Sequence, residues 1–286
     1  MKIKTPATSA NIGVGFDSFG LALGLYNTFT IENSDKDILE NVEERFNNSD
    51  NLFLKAYHSG CEAIGIQDYI YAKFEPNIPV SRGLGSSASL ICAGLYGASV
   101  LHDNALSKEE IFNLASRLEG HPDNVAPCIF GGMTVSSEYN GKYITKQIEI
   151  DKSWKYTLFI PDFEVSTEKA RGILPKSYSL KNASRNIANA IYMIKGLEEG
   201  DNNLLQYGEL DQIHEPYRRQ LIPFFDDLRK EFKKETGGIL LISGSGSTCI
   251  GISKKEVSKD FIQNISYCEI LKVDLCKEGM ELVHEE

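Results

Sequence analysis

With 286 residues the chain has room for one large domain or two ordinary ones. Apolar residues make up 42% and charged residues 24%, which excludes a disordered or fibrous chain, and no run approaches the roughly 20 apolar residues of a membrane span. A formal charge of −10 argues against phosphate-backbone binding, so we expect neither nucleic acid nor a membrane among the partners.

The opening Met1-Lys-Ile-Lys-Thr-Pro lacks the apolar core and small-residue cleavage site of a secretory signal, and the expectation is a cytoplasmic protein. Asp50 or Ser49 stands where it can cap a helix carrying Leu52, Phe53, Ala56, Tyr57, Cys61 and Ile64 on one face, with Gly65 as its left-handed terminator. Tyr69 to Phe74 reads as a strand. After a glycine-serine loop, the apolar stretch Leu90 to Leu101 is too long for a typical strand and predicts a buried helix. Ser107 and Glu110 form a capping box for a helix with Ile111, Leu114, Ala115 and Leu118 along one face, which leads into Glu119-Gly-His-Pro-Asp-Asn124.

Around Trp154 the pattern restarts with a strand, Tyr156 to Ile160, and a helix, Ala183 to Leu197, expected to turn Ile187, Ala190, Ile191 and Ile194 inward. Pro223 opens a helix through Phe232. Strands Ile239 to Ser243 and Thr248 to Ile252 flank Gly244-Ser-Gly-Ser247, and a short helix near Phe261 precedes the strand Cys268 to Leu275. The order β-α-β-β-α-β, with an extra helix in the first crossover, predicts a ferredoxin-like second domain.

Cys61, Cys92, Cys128, Cys249, Cys268 and Cys276 include no C-x-x-C pair and read as reduced thiols, mostly buried. His58, His102, His214 and His284 have no metal-site spacing, and no serine or cysteine sits in a nucleophile motif.

The sharpest chemical signal is Pro79-Val-Ser-Arg-Gly-Leu-Gly-Ser-Ser-Ala-Ser89. Gly83 and Gly85 let backbone approach a ligand closely, while Ser86 and Ser87 bring hydroxyls to a helix N-terminus whose free N–H groups favour an anion. Phosphate is the natural guest, and Ser87 offers a hard oxygen to Mg²⁺. The alternative is a plain glycine turn capped by serine.

The loop lacks the lysine of the Walker pattern. It resembles the second signature of the GHMP kinases, and two more stretches agree with that family: Pro6-Ala-Thr-Ser-Ala-Asn-Ile-Gly-Val-Gly-Phe-Asp-Ser-Phe-Gly20 with motif one and Ser243-Gly-Ser-Gly-Ser-Thr248 with motif three. The likeness spans nearly the whole chain. Within the family the homoserine kinase branch is the nearest likeness, through Asn11 to Asp17, Gly120-His-Pro-Asp-Asn-Val-Ala-Pro127, Val165-Ser-Thr-Glu-Lys-Ala-Arg171 with Leu174-Pro175, and Glu215-Pro-Tyr-Arg218 before Leu221-Ile-Pro223. Val14 and Ser247 stand where the family often has proline, and Ser89 where it often has alanine; these departures alter loop stiffness without removing a functional group.

The resemblance implies an α+β, two-domain GHMP kinase fold: a ribosomal protein S5 domain 2-like, ATP-binding domain over residues 1–152 and a ferredoxin-like domain over 153–286, with the substrate between them. It implies transfer of phosphate from ATP to L-homoserine, a step toward threonine, with Mg²⁺ as cofactor. ATP would lie on Pro79, Val80, Ser81, Arg82, Gly83, Leu84, Gly85, Ser86, Ser87, Ala88 and Ser89, with Asn51 on the adenine side unless it is simply a helix cap. Ser87 and Glu119 would hold the metal; Glu119 could instead be a surface residue at a helix end. Arg171 and Arg218 are the candidate carboxylate grips, since a guanidinium meets a carboxylate bidentately. Asp17 is the candidate ammonium partner, with Asn11, His121 and Thr167 supplying neutral hydrogen bonds. Asn124 would stand beside the reacting hydroxyl as a catalytic amide that cannot act as a base. The alternatives are a mevalonate- or shikimate-type kinase and a silent ATP-and-metabolite sensor. Composition does not decide between a monomer and a homodimer.

Overall fold

A computed structural model describes residues 1–283; His284 lies outside the described residues. Two sheets organise the chain. The first has seven strands: β1 (Lys2–Ala10), β2 (Phe19–Ser34), β3 (Ile38–Glu40), β4 (Tyr69–Glu75), β5 (Met133–Tyr139), β6 (Lys142–Ile148) and β11 (Glu281–Val283). The 16-residue β2 is its spine, pairing antiparallel with β1 along most of its length, with β4 through Thr28–Ser34 and with β5 through Phe19–Leu21. Helices α1 (Leu52–Ala63), α2 (Ser86–Leu101), α3 (Lys108–Glu119) and α4 (Val125–Phe130) pack beside it.

The second sheet holds β7 (Lys155–Pro161), β8 (Ile239–Ile242), β9 (Cys249–Ser253) and β10 (Cys268–Val273), in the antiparallel order β10-β7-β9-β8. Its crossovers carry α5 (Thr167–Gly172), α6 (Leu180–Glu199), α7 (Asn202–Leu205), α8 (Glu215–Arg218), α9 (Phe225–Thr236) and α10 (Lys259–Gln263). That strand order is the one expected of a ferredoxin-like unit. The chain does not end there, however. Strand β11 returns to β1 in the first sheet, pairing Lys2 with Val283, so residues 1–152 alone do not complete that sheet.

One hydrophobic cluster joins the two halves: Ala7, Phe19 and Leu21 share it with Trp154, Leu158, Ile239 and Ile250. Burying such side chains contributes about 1.5–3 kcal/mol each, so the seam between the sheets is a packed core and a firm base for a site.

Local readings correct several expectations. Helix α1 is capped by Asn51, whose Oδ1 accepts from Phe53 N–H at 2.9 Å, in place of Asp50 or Ser49. Gly65 has the left-handed φ of +77°. The Ser107–Glu110 capping box is formed. Helix α6 is longer than expected and rotated: Met193, Gly196 and Leu197 are buried, Ala190 and Ile194 pack partly against the core, and Ile187 and Ile191 face outward at 64% and 56% exposure. Its apolar residues cover more of the circumference than one core face can bury. The six cysteines are free, five of them buried.

Candidate active site

The cavity lies at the seam and has a volume of about 530 Å³. Of the residues singled out from the sequence, all but Ala88 and Ser89 border it. Those two are the first correction. Helix α2 starts at Ser86, so successive side chains step around its axis by about 100°. Ser86 and Ser87 remain on the cavity side, Ala88 enters the core, and Ser89, fully buried, bonds Thr5 Oγ1 at 2.7 Å and Asn27 Nδ2 at 3.0 Å. Neither side chain faces the cavity. Leu84 likewise sends its side chain into the core, and its carbonyl accepts from Thr8 N–H at 3.0 Å.

Both loop glycines are dictated by contact as well as by backbone. Gly85, with φ +68°, caps α2, and a Cβ there would overlap Thr8 Oγ1. Gly83, with φ +74°, lies against the carbonyl of Ser243 in the third motif, and a Cβ would overlap that oxygen. Ser243 Oγ, bonded to Ser9 Oγ at 2.8 Å and Gly83 O at 2.7 Å, locks all three motifs together. Arg82 borders the loop but turns its guanidinium to Pro161 O at 3.1 Å and Glu164 at 3.4 Å, fastening the loop to the end of β7. Val42, Phe46, Leu52, Phe74, Ile78 and Leu90 also line the cavity, among polar residues such as Asn41, Arg45 and Asn48. Asn51 borders it with both side-chain ends engaged, since its Nδ2 donates to Phe46 O at 2.9 Å.

Beyond the loop, Ser87 Oγ donates to Glu119 Oε2 at 2.6 Å. Burial raises the Glu119 carboxyl above its ordinary range, against the opposing effect of the Ser87 hydrogen bond. Glu119 is therefore no solvated surface residue. Among the described residues no cluster of three or more His, Cys, Asp or Glu could hold a metal by itself. Two hard oxygens beside a phosphate-sized cradle do fit Mg²⁺, which is usually held by one or two carboxylates together with phosphate and water.

Asn124 precedes α4, and its Oδ1 accepts from Thr8 Oγ1 at 2.8 Å. That bond engages the amide oxygen and leaves the amide N–H group to donate elsewhere. Thr8 was missed in the sequence, although it lies inside the first motif. Asp123 is 2% exposed and paired with His121 Nδ1 at 2.9 Å. The pairing raises the His121 pKa against the opposing effect of burial. Because Asp123 is spent on His121, we predict that Asp123→Asn retains a substantial fraction of kcat, within about tenfold of wild type; a thousand-fold loss with unchanged binding would establish Asp123 as a general base.

A charged cluster also borders the cavity. Arg171, on α5, forms a two-point ion pair with Asp17, Nη1–Oδ2 at 3.0 Å and Nη2–Oδ1 at 2.8 Å. Asp17 is itself held with φ +54°, its N–H bonded to Asn11 Oδ1 at 3.0 Å. Asn11 Nδ2 donates to Gly244 O at 2.9 Å, so the amide expected to touch substrate joins motif one to motif three. Arg218 is 2% exposed, its Nε donating to Ala170 O at 3.2 Å and its Nη1 to Gly244 O at 2.9 Å. Burial, reinforced by the Arg171 charge, lowers its pKa to about 10. Thr167 Oγ1 stands 3.5 Å from Ser245 Oγ at the cavity edge.

The fold and the loop geometry are those of a small-molecule kinase, and comparison with known proteins agrees. Residues 51–132 match the GHMP kinases N terminal domain and residues 193–267 match GHMP kinases C terminal. A homoserine kinase of Clostridium botulinum is 40% identical over 95% of this chain and 92% of its own length, and one of Clostridium acetobutylicum is 37% identical over 95% and 94%. The crystal structure of homoserine kinase from Cytophaga hutchinsonii superposes with a TM-score of 0.87 at 27% identity, covering 99% of this chain and 97% of that one. This chain belongs to the GHMP kinase family, within its homoserine kinase branch.

Proposed function

We propose that the protein transfers the γ-phosphoryl group of ATP to the side-chain hydroxyl of L-homoserine, yielding O-phospho-L-homoserine and ADP, a step of amino-acid biosynthesis toward threonine. The observation that carries this reading is the Asp17–Arg171 pair beside Arg218 on the cavity. One carboxylate and two guanidinium groups suit a zwitterion. Asp17 and Arg171 satisfy one another, and an amino acid can replace both partners at once, its ammonium taking Asp17 and its carboxylate taking Arg171 and the remaining donors of Arg218. A hydroxy acid without an ammonium leaves Asp17 unpaired, which disfavours mevalonate or shikimate.

Catalysis then rests on positioning and charge stabilisation. The Pro79–Ser87 loop and the first turn of α2 would cradle the phosphates with backbone N–H groups. Ser87 and Glu119 would hold Mg²⁺, which when bound neutralises charge on the phosphoryl oxygens. The N–H side of Asn124 would donate to the substrate hydroxyl oxygen, turning its proton toward the phosphate. This reading needs no side-chain base at that oxygen, since a loose phosphoryl-transfer transition state requires little prior activation of the nucleophile. A non-catalytic sensor would need none of these three residues on the cavity, and all three border it.

Measuring ADP release with ATP and Mg²⁺ against homoserine, 4-hydroxybutyrate, 3-aminopropan-1-ol, mevalonate, shikimate and galactose tests the reading. We expect homoserine to exceed both of its singly charged analogues by about tenfold to 100-fold in kcat/KM, since each analogue strands a charge whose lost contact is worth roughly 1.5–3 kcal/mol. Comparable turnover of homoserine and 4-hydroxybutyrate would remove Asp17 from substrate selection.

A further inference from the structure

The loop between β1 and β2 contains an aromatic residue that the core does not use. Ile12, Val14 and Phe19 enter the main hydrophobic cluster, whereas Phe16 stays half-buried outside it. Its neighbours are charged or titratable groups. The Arg218 guanidinium carbon lies 5.2 Å from the ring centroid, the Arg171 guanidinium carbon 5.7 Å, and the fully buried His214 ring stacks on it at 5.4 Å with an interplanar angle of 28°.

The surrounding loop is held too firmly for this to be a casual contact. Asn11, Ile12, Gly13 and Asp17 all have left-handed backbone, Asn186 Nδ2 donates to Val14 O at 2.8 Å, and His214 Nε2 contacts Gly13 O at 2.7 Å. His214 is in turn fixed by Asp211, whose Oδ2 accepts from its backbone N–H at 2.8 Å. The ring is thus presented by a rigid loop to two arginines of the same charge.

Two guanidinium groups near one cavity repel each other, and the Asp17 carboxylate that offsets this charge is bonded to Arg171 alone. An aromatic ring within about 6 Å attracts a cation through its quadrupole, and more strongly where the cation has lost water. We propose that Phe16 is a positioning residue for substrate recognition: it is the aromatic wedge that holds Arg171 and Arg218 at the spacing that receives the substrate carboxylate. It acts through the arginines and needs no contact with the substrate. The inference rests on the homoserine reading above and adds to it a residue that controls specificity by spacing.

The test compares Phe16→Met, which keeps apolar volume and removes the aromatic ring, with Phe16→Tyr, which keeps the ring. Steady-state kinetics and thermal melting are measured on both, and Phe16→Leu serves if the methionine variant folds poorly. We expect Phe16→Met to raise the homoserine KM about five- to thirty-fold, the loss of two cation–π contacts, with kcat and the ATP KM within about twofold of wild type. Phe16→Tyr should restore most of the homoserine KM. An unchanged homoserine KM in Phe16→Met overturns the proposal, as does equal damage to both substrates or a tyrosine variant no better than methionine. Wild-type turnover of homoserine is the control that separates the readings: its absence defeats the proposed function, and with it this inference, whereas its presence with an unaltered Phe16→Met KM defeats the inference alone.

Discussion

Replacing Glu119 by glutamine should lower kcat by about 100-fold or more and raise the magnesium concentration required for half-maximal rate, with the homoserine KM nearly unchanged. The amide keeps the size of the side chain and can still face Ser87 Oγ, 2.6 Å away in the native protein. What it removes is the negative charge, the feature a hard divalent cation selects. A metal that neutralises phosphoryl oxygens contributes several kcal/mol to transition-state stabilisation, and about 2.7 kcal/mol corresponds to 100-fold in rate. The effect falls on turnover because the charge is needed most as the phosphoryl group separates from ADP. Initial rates across a magnesium titration at saturating ATP and homoserine provide the measurement. A titration that superposes on wild type would remove Glu119 from the metal role and return it to a structural partner of α2.

The two arginines should respond differently to truncation, although both border the cavity. Arg171 is about a third exposed at its side chain and is paired with Asp17 alone, so Arg171→Ala should act mainly on binding. The expected result is a homoserine KM raised about tenfold to 100-fold, from loss of a charged contact worth roughly 1.5–3 kcal/mol, with a small change in the ATP KM. Arg218 also holds the carbonyls of Ala170 and Gly244 from a buried position. Its removal takes a donor from the carbonyl of Ala170, and a buried acceptor left unpaired costs about 1–3 kcal/mol, while Gly244 O keeps the Asn11 amide. Arg218→Ala should therefore raise the homoserine KM and also lower the melting temperature, while Arg171→Ala leaves the latter close to wild type. Equal loss of stability in both variants would contradict the distinct roles assigned by burial and hydrogen bonding.

Much of this protein is determined locally and could be read from sequence. The glycine-serine loop, the Ser107–Glu110 capping box and the strand-helix order of the second half depend on neighbours a few residues apart, through backbone freedom, capping and side-chain period. The residues bordering the cavity were mostly legible for the same reason, since Gly85, Ser87, Glu119 and Asn124 belong to short runs whose chemistry is visible without a partner.

Tertiary structure decided which side chains of those runs are free to act. Ser87 and Ser89 are alike in sequence, yet the turn of α2 leaves one hydroxyl on the cavity and buries the other against Thr5 and Asn27. Asn11 and Arg218 read as substrate ligands in the sequence, and the fold adds that both also donate to the carbonyl of Gly244, more than 20 residues from either. Thr8 gains its role only because β1 runs beneath both Gly85 and Asn124. Phe16 becomes more than an apolar loop residue only when α5 and α8 bring two guanidinium groups to its ring. Ile187 and Ile191 have the spacing of a core face, but the packing of α6 leaves them outside. Periodicity specifies that a helix has an apolar side; which residues on it are covered depends on the surface that meets it, and that surface is assembled from distant parts of the chain.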